Sequence, residues 1–340
     1  MKKAKIFAAA LVLLLTSCAD NTPYQEQTSF FSMDTYMEIT AYGHVSTALT
    51  DCRDEIFRLE ALLSVTDDTS DIGRLNASGV TDVSPDTAEI IKYAMQIGEE
   101  TGGALDITIY PVLKEWGFTT GNHKIPDDET LDTLLQRVDF TQIQIDDGTL
   151  SNVTLPTGVQ LDLGALAKGY ASDKAAEILK KNGIESALIN LGGNIMTIGS
   201  NPSSGDPWRI GIRNPFALDE SIGVIEVSDR AVVTSGSYER YFTVGGVTYH
   251  HILDPVTGYP ADSGLVSVTV IGDSGLMCDA LSTALFVMGA EKAAEYYREK
   301  GGFDMLLVTE SGEIFITEGI SGSFTNLTDL PCILIGQRTQ

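Results

Sequence analysis

The chain has 340 residues, and its 22 Lys and Arg against 47 Asp and Glu leave a formal net charge of −25. So acidic a surface repels phosphate backbones, which excludes nucleic acid as a partner; a phosphorylated small molecule needs a local cation, in practice a metal ion, to approach. The length suffices for one elaborate domain, or two fused lobes, around a large core.

Lys2, Lys3 and Lys5 precede an apolar run from Ile6 to Leu15, which closes on Leu15-Thr16-Ser17-Cys18. The run is too short to span a bilayer, so residues 1–17 read as a secretory signal peptide. The small residues before Cys18 resemble a bacterial lipobox, in which the cysteine is lipidated and becomes the first mature residue. The alternative is an ordinary signal peptide with an incidental cysteine. Residues 18–28, with Asp20, Asn21, Gln25, Glu26 and Gln27, have little to bury and read as a tether. Residues 29–335 form the domain, with no linker-like break and no later apolar segment long enough to cross a membrane. The expected location is the extracytoplasmic side of the cell envelope, held to the membrane by lipid alone.

Residues 30–42 alternate aromatic and β-branched side chains and predict one strand. Leu49, Cys52, Ile56, Leu59 and Leu63 recur at helical spacing, predicting a helix over about 46–63. Ser84-Pro85-Asp86 opens a second helix, with Ser84 as cap and Pro85 at the first position, ending at Gly102-Gly103. Residues 159–163, a helix over 168–181 stopped by Asn182-Gly183, and a returning strand over 187–191 predict a βαβ-like unit. Short strands follow between 208 and 248. An apolar helix over 276–288, a polar one over 291–300, and a strand pair at 305–309 and 313–317 complete the order. The irregular alternation predicts an α+β fold rather than a doubly wound sheet. Cys52 and Cys278 stand in apolar helical patterns and read as small core residues; with Cys332 they are an odd three, which makes no disulfide framework.

Three clusters carry the candidate chemistry. Asp279 sits among apolar neighbours, where an unpartnered carboxylate is unfavourable. Ser282 and Thr283, three and four residues on, share its helix face. A carboxylate with hydroxyls is a hard-oxygen set suited to Mg²⁺, although a helix-start cap explains the same residues. Asp162-Leu163-Gly164-Ala165-Leu166-Ala167-Lys168-Gly169-Tyr170 joins a strand to a helix start, where free backbone groups face a cleft; such turns need a small residue in any case. His250-His251 precede the turn-forming Asp254-Pro255-Val256-Thr257-Gly258. A histidine there can hold a phosphate or orient a hydroxyl, or simply bond a turn carbonyl.

These segments fall into a larger set in order: Phe31-Ser32-Met33-Asp34-Thr35-Tyr36, Thr101-Gly102-Gly103-Ala104-Leu105-Asp106-Ile107-Thr108, residues 162–171, Asn190-Leu191-Gly192-Gly193-Asn194, Thr234-Ser235-Gly236-Ser237-Tyr238, residues 251–258 and 279–284. The set resembles the ApbE family of FAD:protein FMN transferases. The resemblance implies a single flavin-transferase domain of two fused lobes, with FAD, the substrate, in a cleft between them. It implies Mg²⁺ on the Ala165 carbonyl, the Asp279 carboxylate and the Thr283 hydroxyl, with Ser282 a further candidate. Met33, Ala104, Leu105, Asp106, Asp162, Lys168, Ser235, His251, Ile252 and Leu253 are expected to line the flavin and its phosphates. Thr66 stands where many members place an aromatic residue, so this cofactor-facing position lacks a stacking ring.

The implied reaction moves FMN from FAD onto a threonine or serine of an acceptor protein, such as a redox-pump subunit or an extracytoplasmic flavoprotein, and releases AMP. His251 or Asp279 is expected to help remove the hydroxyl proton. One alternative is a Mg²⁺-dependent FAD pyrophosphatase, with water in place of the acceptor. Another is a non-catalytic flavin-binding lipoprotein, which has no need of Asp279 and Thr283.

Overall fold

The computed structural model describes residues 24–45 and 47–336. The signal peptide, Cys18 and most of the expected tether lie outside the described residues.

A hairpin opens the fold: β1 (Gln25–Ser32) and β2 (Thr35–Tyr42) pair antiparallel. Residues 30–42 are therefore two strands and not one. Met33 and Asp34 form the two-residue turn, with φ of 47° and 58°, as a type I′ hairpin requires. Glu60 holds this turn, accepting from the Met33 N–H at 2.8 Å and the Ser32 hydroxyl at 2.7 Å. Gln25 to Thr28, expected in the tether, belong to β1.

Next come α1 (Ala48–Leu63), α2 (Asp71–Ser78), β3 (Val80–Val83) and α3 (Pro85–Glu100), with Ser84 capping α3 through the Thr87 N–H. The chain continues through α4 (Tyr110–Trp116), α5 (Asp128–Leu135), β4 (Gln144–Asp146), β5 (Ser151–Thr154) and α6 (Ala167–Lys181). Residues 159–163 are extended but form only a single bridge, Gln160 to Ile109. The Asn76 side chain takes the place of a neighbouring strand there, donating to the Leu161 carbonyl and accepting from its N–H. The predicted βαβ unit is therefore absent.

β6 (Ser186–Leu191), β7 (Asn194–Ile198), β8 (Trp208–Asn214), β9 (Ala217–Val227), β10 (Ala231–Gly236), β11 (Tyr241–Val244), β12 (Val247–His250) and β13 (Leu265–Gly272) follow. The last elements are α7 (Gly275–Lys300), β14 (Asp304–Thr309), β15 (Ile314–Thr317), β16 (Phe324–Asn326) and β17 (Cys332–Ile335). The two predicted helices at 276–288 and 291–300 are the halves of α7, which kinks at Gly289, where φ is 77° and ψ 168°. A side chain at that φ is strained, so glycine is needed at the kink.

One nine-stranded sheet, ordered β1-β2-β6-β7-β10-β13-β14-β15-β17, organises the molecule, and β16-β9-β8 form a smaller sheet. Alternation along β14 shows the layering. Met305 and Leu307 join the core beneath α1, α6 and α7, whereas Leu306 and Val308 join the core beneath β8 and β9. Both faces of the central strands are buried, so consecutive residues of a strand such as β14 are apolar from Met305 to Val308. Cys52 and Cys278 are buried and Cys332 is exposed, all as free thiols. A third, aromatic core gathers Val112, Trp116, Leu131 and Leu253 with Phe242 and Tyr249. Ile252 packs into the large core and Leu253 into the aromatic one. The junction of these two cores is where the candidate site lies. Among the described residues no helix is long and apolar enough to cross a membrane.

Candidate active site

The N-terminal turns of α6 and α7 make the centre of the site. They approach so closely that a Cβ on Gly169 would stand 2.2 Å from the Gly275 carbonyl oxygen and 2.6 Å from the Asp279 Cβ. The Gly169 N–H donates to Asp279 Oδ2 at 2.8 Å instead of to the Ala165 carbonyl four residues back, its ordinary helical partner. Among the described residues no backbone N–H donates to that carbonyl. The fold thus supplies a free carbonyl beside a buried carboxylate that is 4% exposed.

Burial raises the Asp279 pKa, and Asp173 adds to the rise; Lys168, the Asn194 side chain and the Gly169 amide oppose it. A carboxylate so placed gains from a cation. Hydroxyls surround it. Ser282 Oγ donates to the Asp279 carbonyl at 2.9 Å, so in its 2.7 Å contact with Ser235 the Ser235 hydroxyl is the donor. Ser235 can in turn accept from Thr283 at 3.4 Å, which leaves the Thr283 lone pairs for a cation. The buried Asn194 Nδ2 lies beside Asp279 without making a well-formed hydrogen bond, a donor that a bound ligand can complete.

Among the described residues no three His, Cys, Asp or Glu side chains converge as a metal cluster. The donors here are of another kind: one carboxylate, hydroxyls and a backbone carbonyl, all hard oxygens. They fit Mg²⁺, which takes few protein ligands and completes its shell with water or substrate phosphate.

Lys168, half-buried in the first turn of α6, acts electrostatically on Asp162, Asp279 and His251. Burial raises the Asp162 pKa too, opposed by the Gly164 amide, Arg240 and Lys168. His251 follows β12; its N–H and its Nδ1 both meet the Arg240 carbonyl, at 3.0 and 3.2 Å. A carbonyl only accepts, so Nδ1 carries the proton and Nε2 keeps a lone pair. Burial, with the Arg240 guanidinium alongside, pushes the His251 pKa down to about 3. We expect ¹⁵N NMR of the ligand-free protein to show one neutral Nδ1–H tautomer from about pH 5 to about pH 8; an imidazolium appearing within that range contradicts the geometry.

The remaining expected residues are placed as follows. Met33, in the β1–β2 turn, packs on the large core. Asp34 beside it reaches Arg240 at 4.0 Å. Asp106 is committed to its own loop: it accepts from the Thr108 N–H and hydroxyl at 2.8 and 2.5 Å and from the Phe140 N–H at 3.1 Å. It therefore fixes the segment carrying half-buried Ala104 and buried Leu105. Leu105, Ile252 and Leu253 are 4–6% exposed, so they offer a ligand mainly backbone. Thr66 is exposed, its hydroxyl 3.2 Å from Ser64 Oγ. The Tyr110 hydroxyl donates to the adjacent Val65 carbonyl at 3.3 Å, and Asp162 raises its pKa after burial does. That coupling brings the Thr66 segment to the Asp162 side of the site.

Sequence reasoning missed Arg240 and Tyr110. Arg240 follows the 234–238 motif by two residues, and a cation so placed in so acidic a chain was an available signal. Tyr110 had none, because it reaches the site only through the packing of α4.

Comparison with known proteins comes to the same family. The ApbE family profile matches residues 33–307. FAD:protein FMN transferases from Treponema pallidum and Klebsiella pneumoniae are each 36% identical to the chain. The first aligns over 78% of this chain and 79% of its own length, the second over 81% and 86%. The crystal structure of the ApbE protein of Thermotoga maritima matches with a TM-score of 0.80 at 35% identity, covering 87% of this chain and 98% of that one. The flavin transferase ApbE from Vibrio cholerae gives 0.77 at 28% identity over 88% and 99%.

Proposed function

The chain belongs to the ApbE family and is a flavin-transferring enzyme, and from that premise we propose that it uses Mg²⁺ to move FMN from FAD onto a threonine or serine hydroxyl of an acceptor protein, with AMP released. The observation that carries the reading is the meeting of Asp279, Thr283 and the free Ala165 carbonyl between two helix starts. Mg²⁺ held by these groups would supply charge neutralisation for the FAD diphosphate. Lys168, with Arg240, adds positive charge at the site of an otherwise acidic chain. Ser235 orients the Ser282 and Thr283 hydroxyls, and the walls formed by the Met33 turn and residues 104–106 position the flavin. His251 is the group we assign to the hydroxyl proton: its Nε2 keeps a lone pair, and the negative charge of bound FAD raises a basicity that burial and Arg240 hold low in the free protein. Incubating the protein with FAD, Mg²⁺ and a candidate acceptor tests the reading; flavin has to appear covalently on the acceptor, and unchanged FAD sinks it.

A second reading, FAD hydrolysis to FMN and AMP, is favoured by Thr66. An aromatic ring stacked on a cofactor contributes about 0.5–1.5 kcal/mol, so its absence weakens FAD binding by up to roughly tenfold and leaves room for water. We expect measurable FMN release without acceptor, and Thr66→Tyr to tighten FAD binding and suppress release more than transfer. Unchanged affinity and release in that variant mean that position 66 does not face the cofactor.

We also propose that Cys18 carries a lipid anchor on the extracytoplasmic face of the envelope, on the strength of the lipobox-like residues before it. Cys18→Ser is expected to leave the protein unprocessed or free of the membrane with its soluble activity intact. An unmodified Cys18 at the mature N-terminus, seen by mass spectrometry, refutes the anchor.

A further inference from the structure

The contact between α6 and α7 depends on a residue outside every sequence motif named above. Asp173 lies four residues beyond Gly169 on α6 and is directed at the start of α7. Its Oδ2 accepts from the Ser274 hydroxyl at 2.8 Å and the Leu276 N–H at 3.0 Å; its Oδ1 accepts from the Gly275 N–H at 2.6 Å. Ser274 Oγ takes the Met277 N–H, and the Ser274 carbonyl takes that of Cys278. All four leading amides of α7 are thereby satisfied, two of them by a carboxylate from another helix, where a helix would ordinarily rely on its own cap.

We infer that Asp173 is the positioning residue that sets the Mg²⁺ affinity of the site, by clamping the first turn of α7 against α6. The inference rests on the metal reading above. Asp279 lies one turn along α7 from the clamped amides, and its bond to the Gly169 N–H keeps that amide away from the Ala165 carbonyl. A slide or rotation of the first turn of α7 breaks this bond. The Gly169 N–H can then return to the Ala165 carbonyl as an ordinary helical bond, so two cation ligands are lost in one movement. Gly169 and Gly275 offer no side chains that could hold the register, since each helix fits only because the other lacks a Cβ at the contact. The clamp must therefore come from farther along α6. A carboxylate suits the place, because the helix N-terminus favours negative charge even with Asp279 nearby.

The test compares wild type, Asp173→Asn and Ser274→Ala. Calorimetric Mg²⁺ titration and amide hydrogen exchange at Gly169 and residues 275–279, the latter without metal, are the readouts. Asp173→Asn keeps the size but can accept with only one oxygen, and it should raise the Mg²⁺ dissociation constant about 10–100-fold with faster exchange at Gly169. Ser274→Ala retains every charge, so a smaller shift in the same direction there is geometric rather than Coulombic. It also serves if Asp173→Asn does not fold. Faster exchange at 275–279 with unchanged Mg²⁺ affinity in both variants overturns the proposal and leaves Asp173 a stability cap. A wild type that binds no Mg²⁺ sinks the metal reading instead. In that case undisturbed Gly169 exchange in the variants also refutes the clamp, and faster exchange retains it as a positional device alone.

Discussion

Asp279→Asn will lower FMN transfer by about a thousandfold, the scale on which losing a principal stabiliser of transition-state charge acts, while the protein stays folded. The substitution keeps the side chain's size and an oxygen able to accept from the Gly169 N–H. It removes the single carboxylate among the expected metal donors, so binding of Mg²⁺ should fall with activity. The stability effect has the opposite sign. Burial holds the Asp279 pKa above the ordinary carboxylate range, so without metal its ionisation opposes folding. Stability from a group raised in this way is fully present below its unfolded pKa, about 3.9 for Asp, and is lost as pH rises through the raised value. The Asn variant has nothing to titrate there. Its Tm relative to wild type, without Mg²⁺, should therefore improve from about pH 4 toward neutral pH, and Mg²⁺ should reverse the order by stabilising wild type alone. Paired melts across that range check both signs; wild-type activity in the variant ends the assignment of Asp279 as a ligand.

Gly169→Ala will remove activity by a different route. The added methyl would meet backbone and the base of Asp279, at 2.2 and 2.6 Å, and neither can swing away as a flexible side-chain end does. The two helices must part, at a destabilisation of about 1–3 kcal/mol, roughly 2–5 °C in Tm for a domain of this size. Parting them also breaks the Gly169–Asp279 bond, so transfer should drop at least about a hundredfold even where the variant is fully folded. Gly322→Ala, with open space around its Cβ position, is the control and should change neither quantity. Normal activity in Gly169→Ala would show that the helix contact does not position the site.

Elements with strong internal periodicity and local stop signals were legible in the sequence alone. The apolar spacing of α1 and α3, the Ser84 cap, the Asn182-Gly183 stop and the strand pair β14–β15 all form where the residues require them, because each is stabilised within its own few turns or across a short loop. The spacing of Asp279 and Thr283 was legible for the same reason: one helix face carries both. The tertiary structure decided what depends on distant partners. Residues 30–42 have β propensity throughout, and only Glu60, from α1, shows that Met33 and Asp34 break them into a hairpin. Residues 159–163 have a strand's composition, yet the Asn76 side chain supplies the hydrogen bonds a strand would have given. The two halves of α7, by contrast, were expected as separate helices, and Gly289, at non-helical φ and ψ, parts them between those two stretches. The site follows the same division. Its residue types were visible as motifs, but the free Ala165 carbonyl exists only because an amide of α6 bonds to a carboxylate 110 residues later in the chain, and no local pattern encodes a bond between two helix starts.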